Sequence, residues 1–217
     1  MNELLSKIRI DMAWFNIVNG LPTPPNGGLL RLVLLAIKCN IKSEAFNAVL
    51  LYRLACYFRK LGLNLLGHIF YISLQRRYGT TIEVTAEIGG GFRLPHPYGI
   101  IIGGNVEIGN MVTVGQHVTL GGNFGSQNEC GKLYPSIGSW TWIAAGAVVA
   151  GPVRVGEDVV IGANAVVTKD VLAHAIVGGV PAKVIRMRDS WDKQNVNHVL
   201  CQYYGYPNEY VEGFRLL

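Results

Sequence analysis

His96 and His117 both fall inside a run of six-residue repeats, 21 residues apart. That is one full coil of a stacked-repeat structure plus half a face. Their imidazoles can therefore reach the same side of the stack, within one subunit or across an interface. Imidazole in such a place serves proton transfer or metal binding. A hydratase-type zinc centre needs three converging histidines, usually with a close pair along the chain. His96 and His117 are too isolated for that, and His68, His174 and His198 lie outside the repeat core or at its end. No metal is expected. No nucleophilic Cys or Ser motif is visible either.

The elements that must position these residues are thirteen hexads. They run IEVTAE, IGGGFR, LPHPYG, IIIGGN, VEIGNM, VTVGQH and VTLGGN from Ile82, break for thirteen residues (Phe124 to Ser136), and resume as IGSWTW, IAAGAV, VAGPVR, VGEDVV, IGANAV and VTKDVL. The first position is aliphatic in every unit: Ile82, Ile88, Leu94, Ile100, Val106, Val112, Val118, Ile137, Ile143, Val149, Val155, Ile161 and Val167. Such a period marks stacked coils, each burying its aliphatic residue against the next. The expected fold is mainly β: a parallel β-helix of three hexads per coil, preceded by an α-helical segment and followed by a C-terminal tail. Gly89, Gly109, Gly121, Gly138, Gly156 and Gly162 suit the bends between faces, where positive φ or close backbone approach is needed.

A filled β-helix has no interior pocket, so a site must lie on an outer face, under a loop or between subunits. The excursion Phe124–Ser136 is the only long one, and loops on a rigid scaffold tend to carry function. Residues from about Glu3 to Ile17 and from about Ser43 to Gln75 read as helices, and the run Asn19–Gly28 ends the first of them. The expected division is a helical segment over 1–79, a β-helix domain over 80–186 and a tail over 187–217.

Composition narrows the class. Half the residues are hydrophobic and 15% are charged, so the chain is globular and not disordered. Cys39, Cys56, Cys130 and Cys201 lie far apart with no C-x-x-C spacing, which argues for a reducing compartment. MNELLSKIRID has a carboxylate at its third residue and no apolar run of a secretory leader, so a cytoplasmic location is expected. Leu61–Leu74 is the longest uncharged apolar stretch, fourteen residues, short of the ~20 that a span needs. Residues 1–80 carry ten Lys/Arg against three Asp/Glu, so peripheral membrane contact is open to the helices. No nucleic-acid motif accompanies that charge.

LPHPYGIIIGGNVEIGNMVTVGQHVTLGG, followed by a loop, YPSIG and GGVPAKVI, resembles the serine acetyltransferase family of hexapeptide-repeat acyltransferases over about residues 80–186. The resemblance implies a left-handed coil, a homotrimer with sites between subunits, and acetyl-CoA as donor. His96 matches the family's general-base histidine, which takes the acceptor hydroxyl's proton as the oxygen attacks the thioester. His117 has no histidine counterpart in the serine enzymes and is similar to the second histidine of colanic-acid-type polysaccharide O-acetyltransferases. Backbone N–H groups near Gly121 and Gly122 are oxyanion candidates. Acetyl-CoA is expected along Ala145, Gly146, Ala163 and Gly179 to Lys183, with Lys183, Arg186 and Lys169 as phosphate partners.

The chain departs from the serine pattern at three places. Thr81 stands where the family keeps the Asp that orients the base, Pro95 where it keeps an Asp before the base, and Leu133-Tyr134 where it keeps an Arg-His pair. A zwitterion needs a carboxylate for its ammonium and an arginine for its carboxylate, and leaving those charges unpaired costs several kcal/mol per ion. Glu83 and Glu129 are possible replacements for the orienting carboxylate. Aromatic residues (Tyr98, Phe124, Tyr134, Trp140, Trp142) stand nearby in sequence and suit pyranose rings. The expectation is an O-acetyltransferase acting on a sugar or polysaccharide hydroxyl, with His96, His117 and Tyr134 catalytic and Tyr98, Trp140 and Trp142 on the acceptor. Serine O-acetylation and a non-catalytic assembly role are the alternatives.

Overall fold

The computed structural model describes residues 2–18, 29–123, 127 and 131–188. Four helices come first: α1 (Asn2–Val18), α2 (Leu29–Lys42), α3 (Glu44–Lys60) and α4 (Asn64–Tyr78). The single helix expected over 43–75 is two. Gly62, at φ 76°, turns the chain between them. Gly67 then lets α4 approach α3 closely, since a Cβ there would stand 3.0 Å from the Ala55 carbonyl oxygen. At the other end of the pair the Tyr78 hydroxyl donates to Asn47 Oδ1 at 2.8 Å, so the two helices run antiparallel. Ser43 caps α3 by accepting from Phe46 N at 3.2 Å.

The β-helix has three faces. The first stacks β1 (Thr81–Ile82), β3 (Ile101–Ile102), β6 (Thr119–Gly121), β9 (Val148–Ala150) and β12 (Val166–Val167). The second stacks β2 (Glu87–Ile88), β4 (Glu107–Ile108), β7 (Ser136–Ile137) and β10 (Arg154–Val155). The third stacks β5 (Thr113–Val114), β8 (Trp142–Ile143), β11 (Val160–Ile161), β13 (Ala175–Gly178) and β14 (Lys183–Met187), and β14 alone is antiparallel to its neighbour. The main core is a largely aliphatic stack within the prism, extended by Val49, Tyr52, Leu74 and Tyr78 of α3 and α4, and a second cluster of Ile8, Met12, Cys39 and Phe46 packs the helices together.

The hexad phase differs from the sequence reading in the second coil. Ile82 pairs with Ile102 and Ile88 with Ile108, each 20 residues on, whereas Ile102 pairs with Leu120, 18 on. Ile102, Ile108, Val114 and Leu120 therefore continue the column begun by Ile82, Ile88 and Leu94. Ile100, Val106, Val112 and Val118 fill the second inward position, two residues earlier. Both sets are aliphatic and all eight are buried, so the period looks unbroken although the phase has slipped by two.

Gly89, Gly109, Gly138 and Gly156 sit where coils approach most closely. A Cβ at Gly89 would lie 2.7 Å from Gly109 backbone, and one at Gly138 would lie 2.4 Å from Gly156. The helices are tied to the first coil by a buried ion pair. Arg53 donates to both Asp11 oxygens, at 2.9 and 3.1 Å, and to the carbonyls of Ile88 (2.7 Å) and Gly89.

Candidate functional site

The two extra residues of the first coil sit at one corner. Arg93 bridges to Thr113 and Ile101 pairs with Thr119, so Leu94–Ile100 spans with seven residues what Val114–Val118 spans with five. The surplus forms a bend with His96 exposed between Pro95 and Pro97. Each proline fixes φ and lacks an N–H, which stiffens the bend. Buried Thr80 closes it from beneath: its hydroxyl donates to the Pro97 carbonyl at 2.6 Å and accepts from Ile100 N at 3.1 Å. Tyr98 N donates back to the His96 carbonyl at 2.8 Å, and Gly99 N to the Tyr78 carbonyl at 3.1 Å.

From this bend one edge of the prism rises through successive coils, between the third face and the first. Each coil turns the edge with a left-handed residue: Gly99 (φ 65°), His117 (φ 58°), Gly146 (φ 71°) and Asn164 (φ 55°). Hydrogen bonds of 2.9 Å run up it from His117 N to Tyr98 O, Gly146 N to Gln116 O and Asn164 N to Ala145 O. Val166 N donates to the Gly179 carbonyl at 3.0 Å at the top. His96, His117, Ala145, Gly146, Ala163 and Gly179 therefore share one edge. Exposed Lys183 joins them, paired with Gly178 across the terminal hairpin. The strip is poor in side-chain bulk and ends in a cation, which fits an extended thioester arm with phosphates at Lys183.

Other expected residues lie elsewhere. Gly121 and Gly122 come at the far end of β6, four and five residues past His117, or ~13–16 Å of strand. The Tyr134 ring covers that second edge: a Cβ on Gly103 would lie 3.1 Å from its Cε1, and one on Gly122 3.4 Å. Trp140 turns the edge between the second and third faces (φ 65°) and meets Trp14 edge-on, centroids 6.1 Å apart. Half-buried Trp142 lies in β8, between Thr113 and Val160. Arg186 pairs with Ile176, three residues (~10 Å) along β14 from Lys183, and Lys169 follows β12 on the first face. Phe124 and Glu129 lie outside the described residues. Glu83 accepts from the Tyr71 hydroxyl at 2.9 Å, and Thr81 Oγ1 accepts from Gln75 at 3.2 Å.

Sequence reasoning missed two charged residues at the Tyr98–Tyr78 pair that supports the His96 bend. Tyr98, two residues from His96, donates its hydroxyl to Glu44 at the start of α3. Its ring meets that of Tyr78 edge-on at 5.7 Å. Asn47 Oδ1 accepts from both Tyr78 and, at 3.3 Å, Arg77 Nη1. The Glu44 hydrogen bond pushes the Tyr98 phenol up, and burial pushes Tyr78 up, so both stay protonated donors. Glu44 is 52 residues from His96 in the chain, and no local spacing signals the pairing. Among the described residues no group of three or more His, Cys, Asp or Glu could hold a metal ion. No described helix is long and apolar enough to cross a membrane.

The family description "Bacterial transferase hexapeptide (six repeats)" matches residues 134–169. A serine acetyltransferase of Bacillus pumilus (strain SAFR-032) is 40% identical over 157 residues, covering 71% of this chain and 70% of that one. This chain belongs to the serine acetyltransferase family. A Brucella abortus family member solved with coenzyme A superposes with TM-score 0.69 at 25% identity, over 88% of this chain and 70% of that one. A Neisseria gonorrhoeae member solved with serine gives TM-score 0.66 at 27% identity, over 84% and 69%. The chain is an acetyl-CoA-dependent acyltransferase with a hexapeptide-repeat β-helix.

The expectation of a sugar or polysaccharide acceptor, and of a colanic-acid-type relationship, is overturned. These relatives are named serine acetyltransferases, and one was solved with serine. Within one subunit Trp140 and Tyr134 lie on two other edges of the prism, away from the His96 bend.

Proposed function

We propose that the chain transfers the acetyl group of acetyl-CoA to the hydroxyl of L-serine. The observation that carries this reading is the exposed His96 on its proline-flanked bend, at the foot of a small-residue edge, in a member of this family. His96 as neutral imidazole takes the hydroxyl proton while the serine oxygen attacks the thioester carbonyl. The C–S bond then breaks, and the imidazolium returns the proton to the departing CoA thiolate. Such proton transfer contributes ~10²–10⁴ in rate. Donor binding falls to Ala145, Gly146, Ala163, Gly179 and Lys183 on the same edge, and His117 stands one coil above the bend that carries the base.

Gly121, Gly122 and Tyr134 occupy a different edge of the prism. Their participation requires that edge of one copy to meet the histidine edge of another. A homotrimer of left-handed β-helices, each subunit divided at about residues 79 and 186, is the assembly in which such shared sites would form. The deciding experiment measures thiol release from acetyl-CoA by the purified protein with L-serine and, separately, with a saccharide panel. Serine-dependent, saturable release is expected, and no release with serine would overturn the reading.

A further inference from the structure

We propose that Glu44 and Arg77 recognise the acceptor's two charges, Glu44 taking the α-ammonium and Arg77 the α-carboxylate, in place of the charged residues lost at Pro95 and Leu133-Tyr134. The inference rests on serine as the acceptor and deepens that reading. A zwitterion enters a partly desolvated site only if both charges find partners. The family supplies them from residues beside the base and in the loop, and this chain has Pro95, Leu133 and Tyr134 there.

The fold brings replacements from the helices. Glu44 reaches the His96 bend through the Tyr98 hydroxyl, while Tyr98 N holds the His96 carbonyl at 2.8 Å. Arg77 arrives beside it on the last turn of α4, where Tyr78 O receives Gly99 N at 3.1 Å and Tyr78 packs on Tyr98. One carboxylate, bonded to Tyr98, and one guanidinium, sharing Asn47 Oδ1 with Tyr78, therefore flank the tyrosine pair at the His96 bend. Both side chains are on exposed residues, open to an incoming ligand. A carboxylate accepts at several lone-pair sites, so the Tyr98 donation leaves Glu44 able to take an ammonium. Arg77 gives one Nη1 bond to Asn47 at 3.3 Å and has further N–H donors in its fork.

The test uses three acceptors with the full chain: L-serine, 3-hydroxypropionate (no ammonium) and ethanolamine (no carboxylate). In Glu44→Gln the KM for serine should rise ~10–100-fold, with the KM for acetyl-CoA unchanged and the preference for serine over 3-hydroxypropionate lost. Arg77→Gln should lose the preference over ethanolamine instead. Glu44→Asp and Arg77→Lys should restore part of each preference, which a purely structural role would not produce. A wild-type protein that ignores serine overturns the serine reading and this inference with it. A wild type that uses serine, with variants that keep its KM and both preferences, overturns this inference alone.

Discussion

His117 lies directly on Gly99: a Cβ built at Gly99 would stand 2.4 Å from Nδ1 of the imidazole one coil above. Glycine is required here twice, for that contact and for its φ of 65°. Gly99→Ala should cost ~1–3 kcal/mol in backbone strain and also displace the ring. In a His117→Ala background the collision disappears and only the strain remains. A double-mutant cycle in urea unfolding should thus show coupling of ~0.5–3 kcal/mol. Strict additivity would mean that the ring does not rest on Gly99.

His96→Ala should lower kcat by ~10²–10⁴ with little change in the KM for acetyl-CoA, because the imidazole acts on the acceptor proton and not on the donor strip. Steady-state thiol release checks this, and retained kcat would remove His96 from the base role.

The buried ion pair makes a separate stability prediction. Asp11→Ala leaves Arg53, 4% exposed at its side chain, without its charge partner between helix and coil. The expected loss is ~3–5 kcal/mol by chemical unfolding. Asp11→Leu combined with Arg53→Met should recover the part that comes from the orphaned charge, but not the hydrogen bonds that Ile88 O, Gly89 O and Phe92 N lose with the pair.

Burial pushes the Cys39 and Cys56 thiols above the ordinary range. A raised thiol pKa means less thiolate at a given pH, and only the thiolate reacts. At pH 8 both should alkylate more slowly than free cysteine, and both should accelerate on unfolding. Peptide-resolved mass spectrometry after brief iodoacetamide treatment reads each one, and rapid labelling of either in the folded protein would contradict its burial.

The hexads are legible in the sequence because the first position of every unit is aliphatic, and where the second inward position is aliphatic too the slip is hidden. Ile100 and Ile102 are equally good core residues, so periodicity alone does not say which of them stacks on Ile82. His96 is legible because its neighbours Leu94-Pro95-His96-Pro97-Tyr98-Gly99 form a contiguous motif. Glu44 and Arg77 are not, because α3 and α4 bring them to the bend by tertiary packing across 52 and 19 residues. The saccharide expectation has its origin there, because a motif read along the chain does not register charges that packing delivers from distant helices.

The register slip can itself be tested by shortening the chain. Deleting His96 and Pro97 would give the bend five residues between Arg93 and Ile101, the number between Thr113 and Thr119. Inward columns on either side would then stay in place, because Leu94 and Ile100 keep their coils and only the outward tip is removed. The loss would include the bond from Thr80 Oγ1 to Pro97 O, a buried pairing that contributes ~0.5–1.5 kcal/mol. The variant should therefore keep its β-helix by circular dichroism, melt a few degrees lower, and have no transferase activity. Collapse of the fold would instead mean that the bend is needed to set the stacking of the coils, and that the first coil cannot close with eighteen residues.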